Sequence, residues 1–418
     1  MLDINKIRAD KEGIRKGLIK RAEPAVIDAL LDKVLALDES RRDLIQKTEE
    51  LKAERNKQSK VKPTPEVIEQ MKKVGAEIRK VDEQLSQVEE DFKAVMSELP
   101  NLPAEDVVAG GKENNQVVKT FGQKPQFDFP PKDHVELATS LDIIDYERGV
   151  KIAGSGFWVY KGKGALLEWA LLNYFLDFHT KNGYDFILAP YLLTEQSAYT
   201  SGHLPKFRED LFWTQDKACL NATSEMMLGN FHREEILDES VLPLKYCAYS
   251  ACFRREAGSY RKEERGMIRG HQFNKIEMFQ FTKPEDSWTA FAELVKNAEK
   301  LVEGLGLHYQ TVLLAAGDAS ASMAKTMDIE VWLPSMETYK EVSSASNALD
   351  YQARRGNIRY KDGATGKNEF VHTLNASGLA TSRLFPAILE QFQERDGSVV
   401  IPKVLRKYTG FKKIEVKK

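Results

Sequence analysis

The chain reads as an α+β protein in two parts, an N-terminal antiparallel helical hairpin followed by a larger domain that mixes strands and helices. Three observations predict this. Apolar residues recur every three or four positions over two long stretches separated by a proline-bearing turn. The stretch Ala251 to Thr282, ACFRREAGSYRKEERGMIRGHQFNKIEMFQFT, alternates like a pair of strands around a polar loop. The apolar-faced run Leu166 to Lys181 passes through Asn182-Gly183 into the strand-like run Tyr184 to Pro190.

At 418 residues the chain is long enough for two domains, one of them with a large buried core. Its 61 basic and 63 acidic side chains leave a formal net charge of -2, so any contact with nucleic acid must come from local patches. No apolar run is long enough to span a bilayer, and MLDINKIRADKEG lacks the apolar core of a signal peptide. The expectation is a soluble, cytoplasmic protein with no membrane partner. Cys219, Cys247 and Cys252 are odd in number and lack paired zinc-ligand spacing, which predicts neither a disulfide nor a structural zinc.

In chain order, residues 1 to about 25 carry Leu2, Ile4, Ile7, Ile14 and Leu18 among many charges, enough for short docking helices. Then Ile27, Leu30, Val34, Leu37, Arg41, Leu44, Thr48 and Leu51 step by three and four. After Pro63 and Pro65 the rhythm returns at Val67, Met71, Val74, Ile78, Val81, Leu85, Val88, Phe92, Val95 and Leu99. Two such helices form a coiled-coil hairpin over about 27–99, within an N-terminal domain of 1–105. At its tip Lys52, Arg55, Lys57, Lys60 and Lys62 crowd around a lone Glu54, as a solvated rod end or as a contact for a phosphate backbone. Residues 106–130, rich in Gly, Pro and polar groups, read as a linker, and 131–418 as the second domain.

Within that domain, Arg254 and Glu256 share one face of a strand. Past the loop from Gly258 to Gly266, Phe273, Lys275, Glu277, Phe279 and Phe281 share another. Charges among aromatic rings are expensive to bury unpaired, so this face is either a wet surface or the floor of a binding site. In Asn221-Ala222-Thr223-Ser224-Glu225, Thr223 is placed to cap a helix running on from Met226. Glu341-Val342-Ser343-Ser344 alternates like a strand, and Asn375 to Arg383 is a small-residue strand entering a helix at Leu384.

FRREAG followed by RGMIRGHQFNKIEMFQF closely resembles motif 2 of the class II aminoacyl-tRNA synthetases, in the version carried by the seryl-tRNA synthetase family. Leu166 to Pro190 resembles motif 1, SGHLPKFREDLF and the TxE loop at Thr223 resemble serine-enzyme segments, EVSS with SNALDYQARR resembles the metal-and-ATP strand, and NASGLATSR resembles motif 3. The resemblance implies a class II catalytic domain with a mainly antiparallel β-sheet flanked by helices, working as a homodimer through motif 1. It implies activation of L-serine by ATP with Mg²⁺, then transfer to tRNA(Ser), with tRNA(Sec) a second candidate. By the family match, Arg254 bridges the serine carboxylate and the α-phosphate, and Arg269 and Arg383 hold the γ-phosphate. Arg254 and Arg383 are thus the implied catalytic residues. Adenine would stack between Phe273 and Arg383 with its amino group on Glu256, while Arg255, Val342 and Ser343 complete the ATP site. Glu341 and Ser344 would hold the metal. Thr223, Ser224, Glu225, Glu277, Asn375 and Ser377 would form the serine pocket with Arg254. The helical arm would grip tRNA at its basic tip, and Arg261 and Lys262 of the motif 2 loop would meet the acceptor end. The chain departs from the family pattern at Ser224 (usually Ala), Ala345 (commonly Cys), Ala376 (usually Gly) and Thr381-Ser382 (more often Val-Gly). Two other readings are an amino acid:carrier protein ligase paralogue, which would lack a full arm, and an inactive coiled-coil scaffold, which would have lost motif charges.

Overall fold

The computed structural model describes residues 1–60, 63–256 and 266–416. The chain divides into two compact units, Met1–Leu102 and Pro103–Lys418.

The first unit is all helical: α1 (Ile4–Ala9), α2 (Lys11–Leu18), α3 (Pro24–Gln58) and α4 (Pro65–Glu98). Both long helices begin with proline, whose missing N–H costs nothing in the first turn, and Thr64 Oγ1 accepts from Val67 N at 3.3 Å. The heptad positions of α4 are all buried or half-buried, as the periodicity requires. On α3 the fully covered residues are Ile27, Leu31, Val34, Asp38 and Thr48, so Leu30 and Leu37 of the expected stripe are only half-buried. The short helices pack against the foot of α3 and widen its buried face. There the fully buried Asp38 carboxylate is held by Arg8, Arg41 and Arg42 at 3.5, 3.1 and 3.2 Å.

In the second unit the elements that build the site are β1 (Gln116–Phe121), α5 (Lys163–Lys181), β2 (Asp185–Ile187), β3 (Leu244–Phe253), β4 (Gln272–Thr282), α6 (Ser287–Leu305), β5 (Tyr309–Leu313), β6 (Lys325–Leu333), β7 (Thr338–Leu349), α7 (Tyr351–Gly356), β8 (His372–Ala380) and α8 (Thr381–Gln391). The eight strands form one sheet in the order β1-β5-β6-β7-β8-β4-β3-β2, antiparallel throughout except for the β2–β3 pair. The expected linker therefore needs correcting, because its residues Gln116–Phe121 form an edge strand paired with β5. Val117 and Val118 on that strand are both exposed, so the segment carries no apolar alternation to betray it.

Helices α5, α6 and α8 cover one face of the sheet, and Phe175, Leu294, Leu301, Phe385 and Ile388 meet Ile276, Met278, Ile329 and Leu374 in a single core. The opposite face of β4 carries Lys275 and Glu277, then Phe279 and Phe281, which close a smaller apolar cluster. Ala345 and Ala376 lie directly across the ladder from each other on the core side, both fully buried. Where the family pattern has Cys and Gly, this chain has two alanines, a smaller side chain at one position making room for a larger one at its neighbour.

Candidate functional site

A cavity of about 520 Å³ opens on the sheet face away from the helices, lined by Thr223, Glu225, Arg254, Arg269, Lys275, Glu277, Asp328, Glu341, Ser344, Asn375, Ser377 and Arg383. A narrower pocket beside it is walled by Arg254, Glu256, Arg269, Phe273, Glu341 and Arg383. The fold thus brings together residues scattered over more than 160 positions of sequence.

β4 supplies the floor. Alternation turns Lys275 and Glu277 into the cavity and Phe273 into the narrower pocket, so this face lines a concavity and not open surface. Lys275 Nζ lies 2.5 Å from Glu277 Oε2, with the two side chains 6% and 2% exposed, and it donates to Thr223 Oγ1 at 2.7 Å. The sequence placed Lys275 on this face but gave it no role; the structure makes it the counter-charge of the pocket. Thr223 Oγ1 also accepts from Glu225 N at 3.3 Å, but Ser224 is the N-cap of the one-turn helix Glu225–Leu228 and no side chain caps it, so the cap expected of Thr223 is not formed. Burial, together with the Glu277 carboxylate, pushes the Glu225 carboxyl up to about 7.

β7 brings two oxygen donors to one spot in a way that strict alternation forbids. Glu341 and Ser344 are three residues apart yet both line the cavity, because the ladder with β6 slips between Ile329 and Glu330 and bulges the strand at Val342. The same bulge turns Val342 into the core and seats Ser343 Oγ on Ser377 O at 2.6 Å. Neither of these side chains reaches the cavity, contrary to expectation. On β6, Asp328 lies across from Ser344, and its Oδ1 is buried without a hydrogen-bond partner. Burial and the Glu341 carboxylate raise the Asp328 carboxyl well above the usual range. Burial also works to raise Glu341, but the Arg383 and Arg254 guanidiniums outweigh it and hold that carboxyl low. Sequence reasoning passed over Asp328 and Glu330, although KTMDIEVWL sets Thr326, Asp328 and Glu330 on one polar face opposite Met327, Ile329 and Val331. Among the described residues no three His, Cys, Asp or Glu side chains are grouped to hold a metal by themselves. A carboxylate, a hydroxyl and an orphaned buried carboxylate oxygen are a hard-oxygen set that fits Mg²⁺, which keeps water and substrate phosphate oxygens in its shell.

The guanidiniums are paired with groups of the site itself. Arg383 Nη1 reaches Glu341 Oε2 at 3.0 Å and Glu341 O at 2.8 Å. Arg269 is hydrogen-bonded to Glu256. Arg254 donates to Ala222 O at 3.3 Å and stands over the Phe273 ring at 5.2 Å, on the surface where the sequence reading puts adenine. Two more expected site residues lie elsewhere. Ser224 is fully buried behind the pocket, its Oγ 2.7 Å from Ser250 Oγ, and Arg255 is exposed and lines none of these cavities. His203 joins the wall unannounced; burial, with Arg254, Lys275 and Arg355 nearby, drives its imidazole down to about 3, so it is neutral. On the arm, Arg55, Lys57 and Lys60 are exposed, while Lys52 is 3.6 Å from Asp82. Lys62, Arg261 and Lys262 lie outside the described residues.

Comparison with known proteins matches residues 1–103 to the seryl-tRNA synthetase N-terminal domain and residues 211–392 to the tRNA synthetase class II core domain (G, H, P, S and T). Serine–tRNA ligase 2 of Clostridium acetobutylicum is 53% identical over 429 residues, covering 99% of this chain and all of the relative. The serine–tRNA ligase of Chlorobium phaeobacteroides is 46% identical with the same coverage. Among solved structures, Pyrococcus horikoshii seryl-tRNA synthetase complexed with ATP superposes with a TM-score of 0.93 at 34% identity over the whole of both chains. The Naegleria fowleri cytoplasmic enzyme in complex with AMP gives 0.88 at 34% identity over 100% of this chain and 99% of that one.

Proposed function

The chain belongs to the seryl-tRNA synthetase family and is a serine–tRNA ligase that uses ATP; from that premise we propose how its own residues divide the reaction. The observation that carries this reading is one cavity lined both by the guanidiniums of Arg269 and Arg383, with Arg254, and by the Thr223–Glu225–Lys275–Glu277 cluster. The first group suits a polyphosphate, the second a small polar amino acid.

In the first step a serine carboxylate oxygen attacks the α-phosphorus of ATP, the bond to the bridging oxygen breaks, and pyrophosphate leaves. Arg254, between the two groups of residues, bridges carboxylate and α-phosphate and lowers their mutual repulsion. Arg269 and Arg383 exchange their carboxylate partners for the terminal phosphate. Phe273 offers the face on which adenine stacks once Arg254 turns to the phosphate, and Glu256 accepts from the adenine amino group. Glu341 and Ser344, with Asp328 behind, would hold Mg²⁺, which when bound supplies charge neutralisation to the phosphates. Glu225 takes the α-ammonium, while Glu277 and Ser377 take the side-chain hydroxyl, with Asn375 at the rim. In the second step a ribose hydroxyl of the tRNA 3′ end attacks the activated carbonyl carbon, AMP leaves, and a phosphate oxygen of the adenylate accepts the proton.

The substrate tRNA is tRNA(Ser), with tRNA(Sec) a second candidate, gripped by the arm through Arg55, Lys57 and Lys60. A second copy of the chain covers exposed apolar residues of α5, β2 and the residue after it, where Leu166, Trp169, Phe186 and Leu188 are 52, 56, 37 and 70% exposed. The reaction belongs to the cytoplasm; among the described residues no helix is long and apolar enough to cross a membrane. The carrier-protein ligase and scaffold readings lose ground, since residues 1–103 match the seryl-tRNA synthetase N-terminal domain and Arg254, Arg269, Arg383, Glu277 and Glu341 all line the cavity. ATP–pyrophosphate exchange with serine, threonine, alanine, glycine and cysteine, without tRNA, tests the reading. Exchange with serine supports it, exchange led by glycine or alanine favours the carrier ligase, and none at all favours the scaffold.

A further inference from the structure

Gln352 sits on α7, fully buried, and none of the roles above uses it. Its amide nitrogen donates to Ser201 O at 2.8 Å and to Glu225 Oε1 at 2.7 Å, and its amide oxygen accepts from Thr373 Oγ1 at 2.7 Å. A main-chain carbonyl cannot donate, so the bond to Ser201 fixes which end of the amide faces Glu225, and both N–H groups are committed. One turn on, Arg355 Nη1 donates to Tyr199 O at 3.0 Å and Leu204 O at 2.6 Å. One short helix therefore braces both the Glu225 carboxylate and the 199–204 segment, where the helix Glu195–Thr200 ends and whose Gly202 and His203 line the cavity. The wall is tight: a Cβ on Gly202 would meet Ser322 Cβ at 2.8 Å, and its φ of +89° favours glycine.

We propose that Gln352 is a positioning residue for serine, holding the Glu225 carboxylate at a fixed spacing from the Ser201–His203 wall so that it meets the α-ammonium of the substrate. This rests on the reading of Glu225 given above. A purely space-filling residue at this depth needs no amide; the charge-assisted bond is made to a group of the site.

Gln352→Leu keeps the bulk and removes both donors, while Gln352→Glu keeps the shape and turns an acceptor toward Glu225. In ATP–pyrophosphate exchange with the full chain, both raise the serine KM roughly ten- to a hundredfold. The ATP KM stays within about twofold of wild type, a split that general loosening does not produce. Glu225→Gln, measured alongside, separates the two readings. If it leaves the serine KM unchanged, the ammonium role falls and this proposal with it. If it raises the KM while both Gln352 variants stay at the wild-type value, the proposal alone is overturned. A parallel rise in both KM values also overturns it. Should the Gln352 variants fail to fold, Thr373→Val, which removes only the hydroxyl holding the amide oxygen, is expected to raise the serine KM severalfold, and an unchanged KM decides against the proposal.

Discussion

Lys275 is the residue whose removal speaks most directly about the pocket. In Lys275→Met the chain keeps its bulk but leaves the Glu277 carboxylate, 2% exposed, without its cation. Breaking a buried pair from one side costs about 3–5 kcal/mol. A net loss of about 3 kcal/mol follows, or roughly 5 °C in the melting temperature of a domain this size. The double variant Lys275→Met/Glu277→Leu has no charge left to strand and recovers most of that loss, although serine exchange stays abolished. Urea and thermal melts of the two singles and the double close the cycle. A single Lys275→Met costing under about 1 kcal/mol, or a double as unstable as the sum of the singles, would refute the pair as the pocket's internal counter-charge.

Glu168 gives a pH prediction. Burial raises its carboxyl to about 7 even though Thr381 Oγ1 and Asn274 Nδ2 donate to it at 2.6 and 2.8 Å. A carboxyl with its folded pKa raised takes up a proton on folding, so its contribution to stability is full below the unfolded pKa of about 4.3 and is lost as pH rises through 7. Melts between pH 5 and 8 should show this loss, and Glu168→Gln should flatten it by up to about 3 kcal/mol at pH 8. The Ala345/Ala376 pair predicts compensation: Ala345→Cys alone overpacks the core and costs about 1 kcal/mol, and adding Ala376→Gly makes room and recovers part of that loss, as a chemical-denaturation cycle would register. Reversing Arg55, Lys57 and Lys60 to Glu should raise the KM for tRNA roughly tenfold or more and flatten its salt dependence. Pyrophosphate exchange without tRNA should not change, and a fall in both would put those side chains in the stability of the chain.

The arm and the floor of the site were legible because both depend on period alone. Heptad spacing determines which residues of α4 are covered, and alternation determines which residues of β4 face the cavity. What was not legible came from breaks in period. Glu341 and Ser344 share a face only through the bulge at Val342, and the family match, not the spacing, put them together. Ser224 follows two pocket residues in a turn, where no period applies, and its hydroxyl goes to Ser250 behind the pocket. The edge strand Gln116–Phe121 pairs on one side only and leaves its valines exposed, so it looked like linker. Asp38 shows the converse, a charge off the stripe drawn through Leu37 and Arg41 that is nonetheless fully buried, with Arg8, Arg41 and Arg42 around it.

These pairings bear on how the site awaits its substrates. Arg269 with Glu256, Arg383 with Glu341 and Lys275 with Glu277 are each a cation matched to an anion to which the proposed mechanism gives a separate role. Unpaired, three cationic groups gathered in one cavity would repel one another and weaken the fold; paired, they stay in place at little cost. A polyphosphate that draws Arg269 and Arg383 away releases Glu256 to accept from an amino group and Glu341 to act as an oxygen donor to a hard cation. On the roles proposed above, the carboxylates become available only as the guanidiniums are taken up, which would tie adenine recognition and cation binding to the arrival of the phosphates. Lys275 differs because its partner is buried and it also holds Thr223, so the serine end keeps its pairing while the ATP end exchanges its own.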